Sequence, residues 1–260
     1  MTCEPERRHS IHLLEPLRPH NNVSLFTLEG NIGSGKSTLL RAVAARGPPG
    51  LRVLQEPVDE WTAPSLPDGR SMLEAYYADP RGAGASFQMY VMLSRVKQTL
   101  SVLSHRDGAS PAPAGCVLSE RCLASDYALF GSPMHDAGLM DDVQWTTYSA
   151  WSRAMDALLE PCRPRGVVYL RTTPAAGMAR IRRRARDGEA GRISLGYLEL
   201  LHAAHELWIG ELRAAGTPVL VLDGDLDGDA AVRAHAERVM VFLACCQDAP
   251  TAPTAPTAPT

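Results

Sequence analysis

The chain has 260 residues, of which 45% are hydrophobic and 21% are charged; this suffices for one folded domain with a core and excludes a small protein held together by disulfides. Its formal net charge of −3 excludes the global basic field that attracts nucleic acid or anionic membranes. Of the 26 basic residues only Lys36 and Lys97 are lysines, so the other 24 are arginines, and an arginine is by itself weak evidence of function.

The cysteine pattern and the hydropathy indicate an intracellular protein. The six cysteines show no paired spacing, so we expect neither a disulfide framework nor a zinc site, and a reducing compartment is favoured. No apolar run reaches the roughly 20 residues of a membrane span, and the N-terminus lacks the apolar core of a signal peptide. We therefore expect a cytoplasmic protein without a nucleic-acid or membrane partner.

Both ends of the chain differ in composition from its middle. Residues 1–22 are polar and contain three prolines, and residues 248–260 carry an Ala-Pro-Thr repeat, which predicts disorder because neither segment can bury a core. The folded domain is expected at residues 23–247. A surface loop is predicted at residues 107–115, DGASPAPAG.

Between these ends, short apolar runs alternate with long amphipathic stretches, which predicts an α/β domain with a parallel sheet flanked by helices. The predicted strands are 24–29, 51–54, 116–119, 167–171 and 219–222. The predicted helices are 36–46, 84–105, 143–159, 174–186, 195–215 and 230–246. Ligands of open parallel sheets bind beyond the carboxyl ends of the strands, so the residues that follow each strand are the candidate site.

The first predicted strand leads into a phosphate-binding loop. The sequence that follows it fits the pattern G-x-x-x-x-G-K-[ST] between a strand and a helix, in the order Gly30, Asn31, Ile32, Gly33, Ser34, Gly35, Lys36, Ser37 and Thr38. Glycines permit the turns that wrap backbone N–H groups around phosphate oxygens, and the helix N-terminus favours anions. In this motif Lys36 reaches the β- and γ-phosphates and the Ser37 hydroxyl binds Mg²⁺. The motif predicts a nucleoside triphosphate site such as one for ATP.

The next two strand ends carry groups suited to phosphoryl transfer. Glu56 and Trp61 follow the second strand, and Glu120 and Arg121 follow the third. A carboxylate beside a phosphate-binding loop can accept a proton from a substrate hydroxyl. Arg121 can steady that carboxylate or the charge that develops on the phosphoryl oxygens. Together these positions predict a kinase.

Six segments resemble the deoxynucleoside kinases of the deoxycytidine, deoxyguanosine and mitochondrial thymidine kinase type. They are LEGNIGSGKSTL at 28–39, EPVDEW at 56–61, SFQMYVMLSR at 86–95, SERCLASDYALF at 119–130, RIRRRARDGE at 180–189 and YLELLHAAHELWI at 197–209. The resemblance implies a homodimer with a five-stranded parallel sheet that transfers phosphate from ATP, or another nucleoside triphosphate, with Mg²⁺, to a deoxynucleoside 5′-hydroxyl in nucleotide salvage. The arginine-, alanine- and proline-rich composition leaves a viral thymidine kinase of this family open.

The resemblance also implies roles for single residues in substrate binding. Glu56 takes the place of the general base, with Arg121 beside it. The positions implied to contact the nucleoside further include Trp61 at the base pocket, Gln88 as the reader of the base edge, and Tyr77 and Glu189 at the sugar 3′-hydroxyl. A Gln amide offers one acceptor and two donors, so it can pair bidentately with a nucleobase.

The run from Arg180 to Arg186 holds five arginines in seven residues. Its composition alone fits a solvated helix face, a nucleic-acid patch or a phosphate lid. The resemblance implies a lid over the triphosphate with Arg180, Arg184 and Arg186 on lid positions, and Arg182 and Arg183 facing solvent. The chain departs from the family at Gly228, where an aromatic often lies near the adenine, and at Cys122, which is usually serine.

Arg95 and Asp126 bear on which nucleoside is accepted. In the family, a charged pair at these positions accompanies a preference for deoxycytidine or purine deoxynucleosides, whereas thymidine-accepting relatives carry small or apolar side chains there. Asp126 can accept a hydrogen bond from an amino group, which thymine lacks. We therefore expect a deoxycytidine-leaning or broadly specific enzyme, with thymidine as the alternative.

Two other functions share parts of this pattern. A nucleoside monophosphate kinase of the thymidylate kinase type also has a phosphate-binding loop and an arginine-rich lid, but its acceptor needs additional cations near Glu56, and only Arg95 and Arg121 are obvious candidates. A nucleotide-dependent switch would hydrolyse ATP slowly and transfer phosphate to no nucleoside.

Overall fold

The computed structural model describes residues 23–104, 115–184 and 193–247. Five parallel strands form one sheet in the order β2-β3-β1-β4-β5. The strands are β1 Ser24–Glu29, β2 Leu51–Leu54, β3 Cys116–Glu120, β4 Val167–Arg171 and β5 Val219–Asp223. All five predicted strands are confirmed, and the third and the fifth each end one residue later than predicted, at Glu120 and Asp223.

Ten α-helices lie within the described residues. They are α1 Lys36–Arg46, α2 Val58–Thr62, α3 Met72–Ala78, α4 Pro80–Ser104, α5 Leu123–Asp126, α6 Ser132–Asp136, α7 Asp142–Leu158, α8 Pro174–Arg184, α9 Leu195–Ala214 and α10 Asp229–Cys246. A π-helix, Tyr127–Gly131, joins α5 to α6, and a 3₁₀-helix, Glu160–Cys162, follows α7.

The six predicted helices are confirmed: α1 has the predicted bounds, and the others differ from theirs by at most four residues where they are described. The helix predicted from residue 84 begins at Pro80, because proline suits the first helical position and the Asp79 side chain accepts a hydrogen bond from the Gly82 N–H at 2.9 Å. The short helices α2, α3, α5 and α6 were not predicted, since four to seven residues are too few to show a helical period. Residues 1–22, 105–114, 185–192 and 248–260, and the predictions made for them, lie outside the described residues.

The sheet brings three strand ends to one place. β1 lies in the middle, between β3 and β4, and β3 pairs on its other side with β2. Leu28 of β1 pairs with Glu120 of β3, and Leu54 of β2 pairs with Ser119. The phosphate-binding loop, the segment from Gln55 and the segment from Glu120 therefore leave the sheet side by side.

Helices cover both faces of the sheet. Phe26 and Leu28 of β1 pack with α1 and α10 in one core cluster, and Tyr169 of β4 packs with Trp208 of α9 in a cluster on the other face. A further cluster, outside the sheet, joins Trp61 of α2 to helices α3 and α4. Because side chains alternate along a strand, the other β1 residues, Thr27 and Glu29, face away from Phe26 and Leu28. Among the described residues, none of the helices is long and apolar enough to cross a membrane.

Candidate active site

The phosphate-binding loop has the backbone of an anion-binding turn. Gly33 has a positive φ of 77°, and a Cβ at this position would lie 2.5 Å from the Gly177 carbonyl oxygen of α8, so only glycine fits there. The Asn31 amide donates to the Leu198 carbonyl of α9 at 2.8 Å. No side chain caps the N-terminus of α1, which leaves this positive end of the helix facing the loop.

Lys36 lies inside the loop. Its Nζ donates to the Gly30 and Asn31 carbonyl oxygens at 3.0 and 3.1 Å and lies 3.8 Å from Glu120 Oε1. Burial, together with the Arg121 charge, lowers the pKa of Lys36 to about 8, against the attraction of Glu120 and Glu56. The ammonium is therefore held by neutral carbonyls and a nearby carboxylate at the position the motif predicts.

Ser37 and Glu120 provide oxygen ligands beside the loop. The Ser37 hydroxyl donates to Glu120 Oε2 at 3.4 Å, and both residues line the cleft. Burial and the neighbouring Glu56 raise the pKa of Glu120, against Lys36 and Arg121. Hydroxyl and carboxylate oxygens suit Mg²⁺, which commonly takes few protein ligands and completes its shell with substrate phosphates and water. Across residues 23–104, 115–184 and 193–247 no cluster of three or more His, Cys, Asp or Glu side chains could hold a metal by itself.

Arg121 adopts an unusual backbone conformation at the end of β3. With φ at 63° it is the one non-glycine residue with positive φ within the described part of the chain, a conformation that costs free energy and is common at functional sites. Its guanidinium contacts Glu56 Oε1 through Nε at 3.0 Å, donates to the Gly30 carbonyl at 2.9 Å and stacks on the Phe130 ring at 4.8 Å.

Glu56 receives two guanidinium groups. Besides Arg121, the Arg95 Nη2 lies 3.3 Å from Glu56 Oε1. Burial acts to raise the pKa of Glu56, but Arg121, Lys36 and Arg95 together hold it below its ordinary value. The carboxylate is therefore ionised near neutral pH and can accept a proton.

Arg95 and Asp126 form a buried ion pair. Arg95 is 2% exposed and donates to Asp126 through Nε and Nη2, at 2.5 and 3.0 Å, and to the Glu120 carbonyl through Nη1 at 2.7 Å. Burial raises the pKa of Asp126, and Arg95 opposes that rise. The predicted pair exists, and through Arg95 it also touches Glu56.

An open cleft of about 810 Å³ connects these groups. Predicted site residues on its wall are Ile32, Gly33, Ser34, Gly35, Lys36, Ser37, Thr38, Glu56, Trp61, Tyr77, Arg121, Arg180 and Arg184. Gln88, Arg95 and Asp126 are buried behind this wall rather than on it. Arg186 and Glu189 lie outside the described residues.

Aromatic side chains that sequence reasoning missed form much of the wall. Phe87, Phe130, Tyr76 and Tyr197 all line the cleft, and Phe87 stacks on Tyr76 at 4.9 Å and meets Trp61 edge-to-face at 6.1 Å. Flat apolar surfaces of this kind suit a nucleobase. Phe87, Phe130 and Tyr197 lie within the family segments, which was the available signal, whereas Tyr76 lies outside them.

The arginines of α8 approach the cleft from its rim. Arg180 donates to the Ser34 and Gly224 carbonyls at 3.2 and 2.6 Å and pairs with Asp227 at 2.6 Å. Arg182 is exposed, as expected. Arg183 is exposed too, as expected, and it lies with Arg184 at the cleft rim.

Cys122 follows Arg121 and is buried. Burial and the nearby Glu29 raise the pKa of its thiol to about 12. A thiol in this state is protonated at neutral pH and is a poor nucleophile. The substitution of the usual serine therefore leaves the chemistry to the neighbouring residues.

Comparison with known proteins identifies the family. Residues 26–242 match the sequence model of the family described as deoxynucleoside kinase. This chain belongs to the deoxynucleoside kinase family. The predicted resemblance is confirmed, and with it an ATP-dependent deoxynucleoside kinase of nucleotide salvage rather than a monophosphate kinase or a switch.

Similar proteins come from a virus and from vertebrates. The chain is 32% identical over 213 residues to a probable deoxycytidine kinase of fowlpox virus, with 82% of each chain covered. It is 31% identical over 245 residues to deoxycytidine kinase of Rattus norvegicus, covering 85% of this chain and 92% of the relative. It is also 31% identical over 214 residues to mitochondrial thymidine kinase 2 of Macaca fascicularis, covering 80% of this chain and 73% of the relative.

Proposed function

We propose that this kinase transfers the γ-phosphoryl group of ATP to a deoxynucleoside 5′-hydroxyl with Glu56 as the general base. The observation that carries the proposal is the position of Glu56, an ionised carboxylate that two guanidiniums hold in the same cleft as the phosphate-binding loop. A carboxylate suits a neutral hydroxyl acceptor, from which it takes the proton as the new O–P bond forms.

The other groups along the cleft have separate proposed roles in binding the donor and stabilising charge. The loop N–H groups and Lys36 bind the phosphates, and Arg180, Arg184 and Arg186 serve the donor side as lid residues. Arg121 keeps Glu56 oriented and lies where it can stabilise charge on the transferred group. Ser37 and Glu120, with the substrate phosphates, would hold Mg²⁺, which when bound neutralises charge on the phosphate oxygens.

The acceptor site favours deoxycytidine or a broad set of deoxynucleosides. The buried Arg95–Asp126 pair offers a carboxylate acceptor for an exocyclic amino group, and Trp61, Phe87 and Tyr76 supply flat surfaces on the cleft wall. Gln88 would read the base edge, and Tyr77 and Glu189 the sugar. Relatives named deoxycytidine kinase support this preference, and a relative named thymidine kinase 2 keeps thymidine as the alternative.

We also propose a homodimer formed through α4 and α7. These helices pack against each other, and each exposes a large apolar side chain, Leu93 on α4 at 56% and Trp151 on α7 at 51%.

A reducing, cytoplasmic location is supported by the described cysteines, which are all free. The net charge of −3 supports the absence of a nucleic-acid partner.

Labelled-phosphate transfer from ATP to each of the four deoxynucleosides tests the proposal. We expect the Glu56→Gln variant to lose roughly 10²-fold or more in kcat, because the amide cannot take the proton. The matched control is Glu60→Gln, which changes an exposed carboxylate four residues away that pairs with Lys97 and should keep the wild-type rate. Unchanged turnover of the Glu56 variant would remove it as the base. Transfer to thymidine far ahead of deoxycytidine would contradict the proposed preference.

A further inference from the structure

Glu29 is a buried carboxyl group that the proposed mechanism does not use. It is the last residue of β1, directly before the phosphate-binding loop, and is 0% exposed. Its side chain does not line the cleft. Burying a carboxyl group costs free energy unless a partner compensates. The groups that surround Glu29 therefore indicate the role of this residue.

The two oxygens of Glu29 have different partners. Thr27, on the same face of β1, donates its hydroxyl to Glu29 Oε1 at 2.6 Å. Glu29 Oε2 lies 3.6 Å from Arg121 Nη1. Neither Oε2 nor Nη1 has a hydrogen-bond partner within the described residues, so their approach is a contact between charges, with the Ser125 hydroxyl also near Glu29. Thr27 thus orients a carboxylate whose free oxygen faces the Arg121 guanidinium.

Each nitrogen of the Arg121 side chain faces an oxygen atom, two of them at hydrogen-bond distance. Nε lies 3.0 Å from Glu56, Nη2 donates to the Gly30 carbonyl at 2.9 Å, and Nη1 faces Glu29. Glu56 holds the guanidinium from the cleft side and Glu29 from the core side. A guanidinium anchored on the core side keeps its Nε directed at Glu56 when substrate enters and the cleft contacts change.

The groups around Glu29 offset only part of the effect of burial on its pKa. The charged and titratable groups that face it are Arg121 and Cys122 after β3, Arg95 on α4 and Lys36 on α1, together with the hydroxyls of Thr27 and Ser125. Burial raises the pKa of Glu29 to about 7, although Arg121, Thr27, Ser125 and Arg95 act to lower it. Glu29 therefore costs stability at neutral pH, as expected for a residue retained for activity.

We propose that Glu29 is a positioning residue for phosphoryl transfer: from the core side it fixes the Arg121 guanidinium against Glu56. The inference rests on the proposed function, because it acts only through Arg121. Its loss should slow the chemical step and leave substrate binding intact, since Glu29 touches neither the loop side chains nor the aromatic wall of the cleft.

A double-mutant cycle in the full-length enzyme tests this role. Glu29→Gln keeps the size of the side chain and removes its charge, and we expect kcat to fall about tenfold, the loss typical of one contact to a charged group, with the KM values for nucleoside and ATP within about twofold of wild type. In an Arg121→Met background the same change should have no further effect, because residues that act as a unit are not additive. Glu211→Gln, on the exposed face of α9, is the control and should match wild type.

Two results overturn the proposal: wild-type kcat in Glu29→Gln, or a tenfold loss that persists in the Arg121→Met background. If Glu29→Gln does not fold, Thr27→Val replaces it, since this change leaves the Glu29 side chain in place and removes the hydroxyl that orients it and lowers its pKa. Its kcat should fall in the wild-type background and not in Arg121→Met. If Arg121→Met itself keeps wild-type kcat, the proposed function of Arg121 fails instead.

Discussion

At the scale of single residues, Lys36 is the side chain whose chemistry is most constrained. Its ammonium sits between the Gly30 and Asn31 carbonyls at 3.0 and 3.1 Å and is 6% exposed. A planar guanidinium is wider and needs a different set of acceptors. The chain has 24 arginines and two lysines. Lys36 is one of those two lysines, although arginine is the usual basic residue elsewhere in the chain.

Replacing Lys36 by arginine should therefore abolish transfer and leave the fold intact. We expect Lys36→Arg to lower kcat by roughly a hundredfold or more, the range for removing one preorganised charge donor, with a thermal unfolding midpoint close to wild type. Lys97→Arg changes the other lysine, which is exposed and pairs with Glu60, and should be fully active. Near-normal transfer by Lys36→Arg would contradict the assignment of the phosphate site.

Glu29 also makes a prediction about stability. Its pKa is about 7 in the folded protein and 4.5 ordinarily, so the folded state binds this proton more tightly than the unfolded chain. The free energy of unfolding should thus fall as the pH rises from 4.5 to about 7, by on the order of 3 kcal/mol. Chemical denaturation of wild type and Glu29→Gln between about pH 5 and pH 8 checks this. The variant should gain stability relative to wild type as the pH rises, and a constant difference would contradict the burial of a titrating carboxyl.

Sequence reasoning located the residues that local motifs define, namely the phosphate-binding loop, Glu56 and Arg121. Glu29 and Phe130 were missed as site residues although both lie inside quoted segments. Each contacts Arg121, Glu29 from β1 and Phe130 from the π-helix, and such contacts depend on how the elements are arranged in space. Arg95 was predicted as a base-side residue, but its contact with Glu56 was not.

At the scale of elements, the π-helix Tyr127–Gly131 is the part most closely tied to the site. It places Phe130 under the Arg121 guanidinium, and single π turns are frequent at functional sites. Gly131 lets the buried Tyr148 ring approach, since a Cβ there would lie 2.2 Å from Tyr148 Cε1. A one-residue widening of a helix leaves no mark on a hydrophobic pattern, which explains why the sequence did not predict it.

Gly131→Ala should destabilise the protein by about 1–3 kcal/mol, because the added methyl group overpacks a buried ring. It should also lower kcat by displacing Phe130 from Arg121. Gly210→Ala on α9 is the matched control: a Cβ there meets nothing within 4 Å, and alanine favours a helix over glycine by up to about 1 kcal/mol. Thermal unfolding of both variants tests this prediction. Equal unfolding midpoints of Gly131→Ala and Gly210→Ala would contradict the packing argument.

At the scale of the whole molecule, the alternation of apolar runs and amphipathic stretches was sufficient to predict five strands and six helices. The strand order was not predicted, because periodicity does not show which strands are neighbours. The region between β2 and α4 was left without elements, although α2 and α3 there carry Trp61, Tyr76 and Tyr77 into the cleft. Short helices of this kind are held by packing rather than by their own propensity.

Dimerisation is the prediction that belongs to this scale. Trp151→Glu places a charge in the exposed apolar surface of α7 and should convert a dimer into a monomer, because a buried unpaired charge opposes association. Leu207→Glu is the control, since Leu207 is 67% exposed on α9, away from α4 and α7, and should leave the dimer intact. Light scattering coupled to size exclusion measures both. A dimer in Trp151→Glu, or a monomeric wild type, would contradict the proposed interface.

The buried guanidinium of Arg95 has an evolutionary consequence. It joins Asp126, which we propose as the acceptor for the base, to Glu56, the proposed general base. Losing either Arg95 or Asp126 alone strands the other charge in the interior, at a cost of several kcal/mol. Under the proposed roles, a change of substrate range requires both residues to be substituted together, and each such change also alters the surroundings of Glu56. The proposal thus couples a change of nucleoside to a change of turnover.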